Sequence, residues 1–435
     1  MNRFNTKTLG CKVNHYETEA IEEILEKSGF EKVSSEEPAD VTIINTCTVT
    51  NMSDRKSRQI IRKAKRLSPN SVVVVLGCYA QVSPEEIEKI PEVDIIMGTS
   101  GREKLPEYIR EVQMDQKQII AVKDYVQSSE FESLSIENTS DRTRAYMKVQ
   151  DGCNQYCSYC IIPYARGFIR SRDLEDSVAE AKRLQEQGFK EIVLTGIHVG
   201  SYGKDLEGDL QLIDLIEAIA KVEGIHRIRL SSVEPMTITG AFMKRYVDTK
   251  KGMDHFHLSL QSGCNKVLKE MNRKYTVEEY KEKVDLIRKY MPRAGITTDI
   301  IVGFPGETEE EFLETQEYVK EIGFSRIHVF PYSPRKGTPA AKRKDQIHGD
   351  EKQSRSHRLI ETGEEMALEF IKKNVETPLE TLFEMEEEGW IYGYTSNYIR
   401  VKAKAEKNRN NTLGRVKIKE VGTEPVLAEV LEEDE

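Results

Sequence analysis

No run of apolar residues in this sequence approaches the ~20 that a membrane-spanning helix needs. The opening MNRFNTKTLGCK lacks the apolar core of a secretory signal. Both absences lead to the expectation of a cytoplasmic protein with no membrane partner. An even set of cysteines is also missing. There are seven, and an odd number argues against a disulfide framework, leaving reduced thiols available for metal. Net positive charge is absent too. The formal charge is -10, which argues against a protein that holds nucleic acid by overall charge.

Locally the charge differs. The segment RKSRQIIRKAKR (55–66) is basic without a single acid, and 401–419 is basic apart from Glu406. The only tryptophan, Trp390, stands near that second segment with Tyr392, Tyr394 and Tyr398. Aromatics interleaved with Lys and Arg suit base stacking and phosphate contact; they equally suit a small core with a solvated rim. An RNA partner therefore stays open.

The hydrophobic pattern divides the chain into three. Residues 1–112 alternate short β-rich runs with helical patterns near 15–28, 53–67 and from Ser83–Pro84, which predicts a parallel sheet with helices on its faces. Residues 113–140 turn polar and Ser/Glu-rich after one short strand and are expected to be a linker. Residues 141–371 carry six further βα units, with strands AYMKVQ, EIVLTGI, RIRLSS, HFHLSL, GITTDIIVGF and RIHVFPYS. Six units suggest a partial (βα)6 relative of the eight-fold barrel. Residues 372–435 read as short strands and turns, the size of a small β-barrel. The expected fold class is α/β.

Six cysteines fall into two sets. Cys153, Cys157 and Cys160 lie within GCNQYCSYCIIPYARG, in the loop after the first barrel strand. Catalytic residues of such barrels sit on these loops. Cys11, Cys47 and Cys78 each stand just past the carboxyl end of a strand, the edge where open α/β sheets bind ligands. Thr99 holds the equivalent place on the fourth strand. Each set has three thiols where a structural zinc or a plain electron-transfer cluster takes four ligands. Zinc completed by a distant histidine is the alternative for the first set, and ordinary buried thiols for the second. Cys264 reads as a packed thiol. His255 and His257 share one strand face and read as structural or substrate-facing.

The C-x3-C-x2-C triplet, with Tyr159 before its last cysteine, resembles that of the radical S-adenosylmethionine (SAM) superfamily. End to end, the motifs TLGCKVNHYETE, INTCTVT, GCYAQ, GCNQYCSYCIIPYARGFIRSR, SLQSG and DIIVGFPGETEEEF resemble the methylthiotransferase family within it. The opening motif is similar to that of the branch acting on N6-threonylcarbamoyladenosine at tRNA position 37. Other branches act on isopentenyladenosine-37 or on an aspartate of a small-subunit ribosomal protein. The chain departs from the family at Ser259, where proline is usual, and at Cys264, where serine is commoner.

The resemblance implies two [4Fe–4S] clusters, one on Cys153, Cys157 and Cys160 and one on Cys11, Cys47 and Cys78, and a C-terminal RNA-binding barrel of the TRAM kind. SAM would chelate the open iron of the first cluster, in a pocket drawing on Tyr159, Thr195, Gly196, Ile197, Glu234, Gln261, Val302 and Gly303. Its cleavage would yield a 5′-deoxyadenosyl radical able to attack the unactivated C2 of adenosine. The second cluster would present sulfur, methylated from another SAM. The tRNA anticodon stem-loop, an electron donor of flavodoxin or ferredoxin type and a sulfur source are the implied partners. Arg166, Arg170 and Arg172 are candidates to meet the threonyl carboxylate, and equally to form ordinary salt bridges. Two rivals remain: a non-enzymatic RNA-binding protein holding zinc at both sets, and a cluster protein serving as electron carrier or sensor.

Overall fold

The computed structural model describes residues 2–123, 130–134, 136, 143–404 and 408–431. The first unit is a six-stranded, all-parallel sheet. Arg3–Thr8 pairs with Val41–Thr46, that strand with Val72–Gly77, and then follow Ile95–Met97 and Ile119–Ala121. Strands such as VVVVLG are buried along their whole length, as a sheet covered on both faces requires. One face packs Phe4, Ile21, Val74 and Ile109, and the other Ile44, Ile61, Val75 and Tyr79.

The first helix, Lys12–Lys27, starts earlier than the periodicity predicts, because extended Cys11 turns the chain directly into it. The basic helix is Asn51–Leu67 with Thr50 as its cap. Ser83 does not cap the helix Pro84–Glu88 with its side chain; Pro84 alone sets that start. Of the expected linker, 124–129, 135 and 137–142 lie outside the described residues. Its first residues complete the helix Leu105–Asp115 and the strand Ile119–Ala121. Leu134 and Ile136 pack on Tyr16 of the first helix.

All six barrel strands form where the pattern puts them: Arg144–Asp151, Glu191–Gly196, Arg227–Leu230, His255–Leu258, Gly295–Val302 and Arg326–Pro331. They pair in parallel and in sequence order. At the middle, the chain bends at Ser231. Arg227–Leu230 pairs with the preceding strand, and Ser232–Val233 with the following one. The sheet therefore curves without closing. The helix Gly349–Lys372 packs on the last strand and leads into a closed five-stranded barrel over Pro378–Leu431. No helix among the described residues is long and apolar enough to cross a membrane.

Candidate active site

The three strands preceding Cys11, Cys47 and Cys78 are adjacent, so their carboxyl ends bring these cysteines to one edge. Gly77 makes the approach possible. It has φ +98°, and a Cβ there would meet Asn45 Oδ1 at 2.5 Å. Asn14 ties the loops together, donating to Leu9 O (2.9 Å) and Thr46 O (3.0 Å), while Asn45 donates to Asn14 O (2.9 Å). Cys47 Sγ accepts from Val49 N–H at 3.5 Å, and Cys78 Sγ from Arg166 Nε at 3.3 Å. Burial pushes the Cys78 thiol up to about 12, against the pull of Arg166. A bound cation is what turns such a thiol into a thiolate.

The second set sits on the loop after Arg144–Asp151. Gly152 begins it at φ +72°, where a Cβ would lie 1.8 Å from Phe168 O. Cys153 Sγ accepts from Gln155 N–H at 3.5 Å and Cys157 Sγ from Arg273 Nη1 at 3.3 Å. Burial holds the Cys153 thiol near about 11 and Cys160 near about 12. N–H donors aimed at sulfur on both sets, with a guanidinium on each, are the surroundings that stabilise metal-bound thiolates. Both donor sets therefore fit iron–sulfur ligation chemically. Among the described residues, no three His, Cys, Asp or Glu side chains close tightly around a single ion.

The two sets are joined through a buried ionic network. Arg166 donates to Glu17 (2.6 and 2.9 Å), to Asp151 (3.3 Å) and to Asn14 (3.1 Å). Lys148 meets Glu17 at 2.8 Å and Asp151 at 2.6 Å, and Arg102 meets Glu17 at 3.0 Å. Glu17 is fully buried, and these three cations outweigh its burial, holding its carboxyl down at about 2. Asp151 is held well below the usual carboxylate range by Lys148, Arg166 and Arg170 despite its burial. Thr99 explains its departure from the cysteine pattern. Its hydroxyl donates to Ala165 O at 3.2 Å, docking the sheet on the cluster loop.

The arginines after the triplet make the ordinary ion pairs that were one of their two expected roles. Arg166 and Arg170 belong to that network, and Arg172 is held by Asp176 (2.7 Å) and Glu180 (3.5 Å). The three arginines thus make ion pairs, with Arg166 and Arg172 against the first helix.

The expected SAM contacts have these partners. Thr195, Gly196 and Ile197 line a cavity of ≈ 830 Å³ together with Cys11, Val49, Ile162, His255 and His257. Glu234 is gripped by Arg273 (2.8 Å to each oxygen), which also reaches Cys157. Gln261, at φ +74°, bridges to Asp299 O and Ile301 N by its backbone. Gly303 N–H donates to Glu307 at 2.6 Å. Tyr159 packs with Cys264, Phe304 and Tyr332 behind the loop, so Cys264 is a buried thiol in an apolar cluster. His255 and His257 share Thr297 Oγ1 (3.1 and 3.0 Å), and His257 faces Asp299 at 3.3 Å.

Arg273, which ties Cys157 to Glu234, and Glu17 were missed from sequence. MNRKY and HYETE carry no local mark of what those side chains will meet. The C-terminal aromatics divide. Tyr398 stacks on His255 (4.4 Å) and Tyr394 (4.8 Å), with Arg229 over it at 4.7 Å, at the junction with the barrel, and it lines the cavity. Trp390 stays half-exposed under Lys404 (4.1 Å) and Lys402 (5.5 Å).

Comparison with known proteins agrees with this architecture. The radical SAM superfamily profile matches residues 147–319, and that of uncharacterized protein family UPF0004 matches 3–98. The threonylcarbamoyladenosine tRNA methylthiotransferase MtaB of Bacillus subtilis (strain 168) is 46% identical over 95% of this chain and 93% of its own. A tRNA-2-methylthio-N(6)-dimethylallyladenosine synthase of Clostridium novyi (strain NT) is 40% identical over 87% and 85%. Among solved structures, the radical SAM methyltransferase TsrM from Kitasatospora setae, with cobalamin and a [4Fe–4S] cluster bound, superposes at TM-score 0.57. It covers 78% of this chain and 77% of that one at 16% identity, a likeness of fold.

Proposed function

We propose that this chain, which belongs to the radical SAM tRNA methylthiotransferase family, adds its methylthio group to C2 of N6-threonylcarbamoyladenosine at tRNA position 37. We further propose that it holds two [4Fe–4S] clusters, on Cys153, Cys157 and Cys160 and on Cys11, Cys47 and Cys78. The observation that carries the reading is the shared cavity. Cys11 of one set and the Thr195–Gly196–Ile197 strand end of the barrel line the same ≈ 830 Å³ space. When bound, the barrel cluster and SAM supply hydrogen-atom abstraction, and the other cluster supplies sulfur.

The chain's residues do the positioning. Arg273 holds Cys157 and Glu234 in one arrangement, and Arg166 holds Cys78 against the loop that carries the other set. Leu230, Phe370, Ile371 and Ile399 give the cavity an apolar wall, which excludes water from a reactive radical. His255, His257, Thr297 and Asn397 give it polar contacts, which favour a threonylcarbamoyl substituent over an isopentenyl one. The half-exposed Trp390 and the exposed Arg55, Lys56, Arg62, Lys63 and Arg66 supply stacking and phosphate contact for the anticodon stem-loop. A one-electron donor and a sulfur source complete the requirement.

The test is anaerobic reconstitution with iron and sulfide, reaction with SAM and dithionite, and mass spectrometry of digested tRNA. Threonylcarbamoyladenosine tRNA should gain one methylthio group while isopentenyladenosine tRNA does not. The reverse preference, or transfer to the ribosomal protein, would assign a different branch. Bound zinc without SAM cleavage would remove the enzyme reading of the site.

A further inference from the structure

The cavity lining carries Lys12 and Arg326 beside Asp299, Glu364 and Glu424, and among the described residues the cations in and around it are paired but for one. Arg326 is paired with Glu424, His257 with Asp299 at 3.3 Å, and the flanking Arg229 with Glu191 at 2.7 Å and Arg144 with Glu384 at 2.5 Å. Lys12 is the exception. It follows Cys11 directly and lines the same cavity. No carboxylate among the described residues pairs with its ammonium, which instead lies 5.9 Å from the centre of the Tyr146 ring. The ammonium therefore lies beside the first barrel strand, which carries Tyr146. Lys12 is partly buried, and a partly buried ammonium with no anion is costly. A ligand that brings one relieves that cost only when bound.

We propose that Lys12 is the residue of this cavity that selects the substrate, its ammonium receiving the carboxylate of the threonyl group on the modified adenosine. This rests on the threonylcarbamoyladenosine reading and deepens it. The carboxylate is the one anionic group that substituent carries. An isopentenyl chain brings none and would leave Lys12 unpaired, so the same residue also acts against the apolar nucleoside. His255, His257 and Thr297, on the strands facing the cavity, are placed to bond the neutral part of the substituent.

The experiment is direct binding to the reconstituted enzyme under anaerobic conditions. Two anticodon stem-loops are compared, one carrying threonylcarbamoyladenosine and one the same nucleoside with its carboxylate replaced by a primary amide. Wild type should bind the acid about 10–100-fold more tightly than the amide, the range of one charge-assisted contact. Lys12→Met should bring the acid down to the affinity of the amide, and Lys12→Arg should restore most of the difference. Equal binding of acid and amide by wild type overturns the inference, whatever the variants do, and so does a Lys12→Met protein that keeps the preference. A wild type that prefers the acid but does not methylthiolate it contradicts the function proposed above and leaves the contact standing. One that methylthiolates acid and amide equally well does the opposite.

Discussion

Cys157→Ala is expected to abolish formation of 5′-deoxyadenosine, and Cys47→Ala to stop methylthio transfer while 5′-deoxyadenosine still forms. The two cysteines belong to sets with separate supports. Cys157 is held by Arg273 in the barrel, and Cys47 by Val49 N–H at the edge of the parallel sheet. Losing a ligand removes more than an outer hydrogen bond does, and even those cost about 10–100-fold. Transfer should therefore fall by more than about 100-fold in both variants. Chromatography of the SAM products beside mass spectrometry of the nucleosides measures both activities in one reaction. If Cys47→Ala transferred the methylthio group normally, the sheet edge would have no part in the chemistry.

The second large effect is on stability. Glu17→Gln keeps the shape of the side chain but leaves Arg102, Lys148 and Arg166 short of one negative charge in a site sealed from water. Breaking a buried ionic cluster in this way costs about 3–5 kcal/mol. The loss should appear as a lower unfolding midpoint at pH 7. Its pH dependence follows from the sign of the shift. Glu17 is held down at about 2 in the fold, so its contribution is complete above the ordinary carboxylate value of about 4.3. It fades as pH falls from there toward 2, so wild type and variant should converge only in acid. Glu36→Gln is the control. It removes the exposed pairs with Lys7 and Lys63 and should leave the midpoint unmoved. A Glu17→Gln midpoint equal to wild type would mean that the network does not hold sheet and barrel together.

These predictions draw unequally on what the sequence shows. The strands and both cysteine sets were legible because they follow local rules. β-rich runs end at Cys11, Cys47 and Cys78, and three thiols fall within eight positions from Cys153 to Cys160. The six barrel strands were legible for the same reason. The arginines after the triplet were left between two roles because proximity to the cluster loop along the chain says nothing of where that loop folds. Arg166 ends up under Asn14 and Glu17, about 150 residues earlier. Arg273 carried no signal, since its partners Cys157, Glu234 and Ser259 come from three separate segments. Tyr398 read equally as a stacking surface for RNA or as part of a small core. Its ring meets His255 and Arg229 of the larger barrel and lines the cavity, contacts between segments that no local pattern shows. Lys12 was visible only as a neighbour of Cys11 until the cavity and its paired charges were on view.

The central claim is that each cysteine set holds its own cluster. Iron and acid-labile sulfide per chain, measured after anaerobic reconstitution, test it most directly. Wild type should hold about eight of each, and alanine replacement of either set, Cys11/Cys47/Cys78 or Cys153/Cys157/Cys160, should leave about four. About four in wild type, unchanged by loss of the first set, would contradict the account; so would zinc in place of iron.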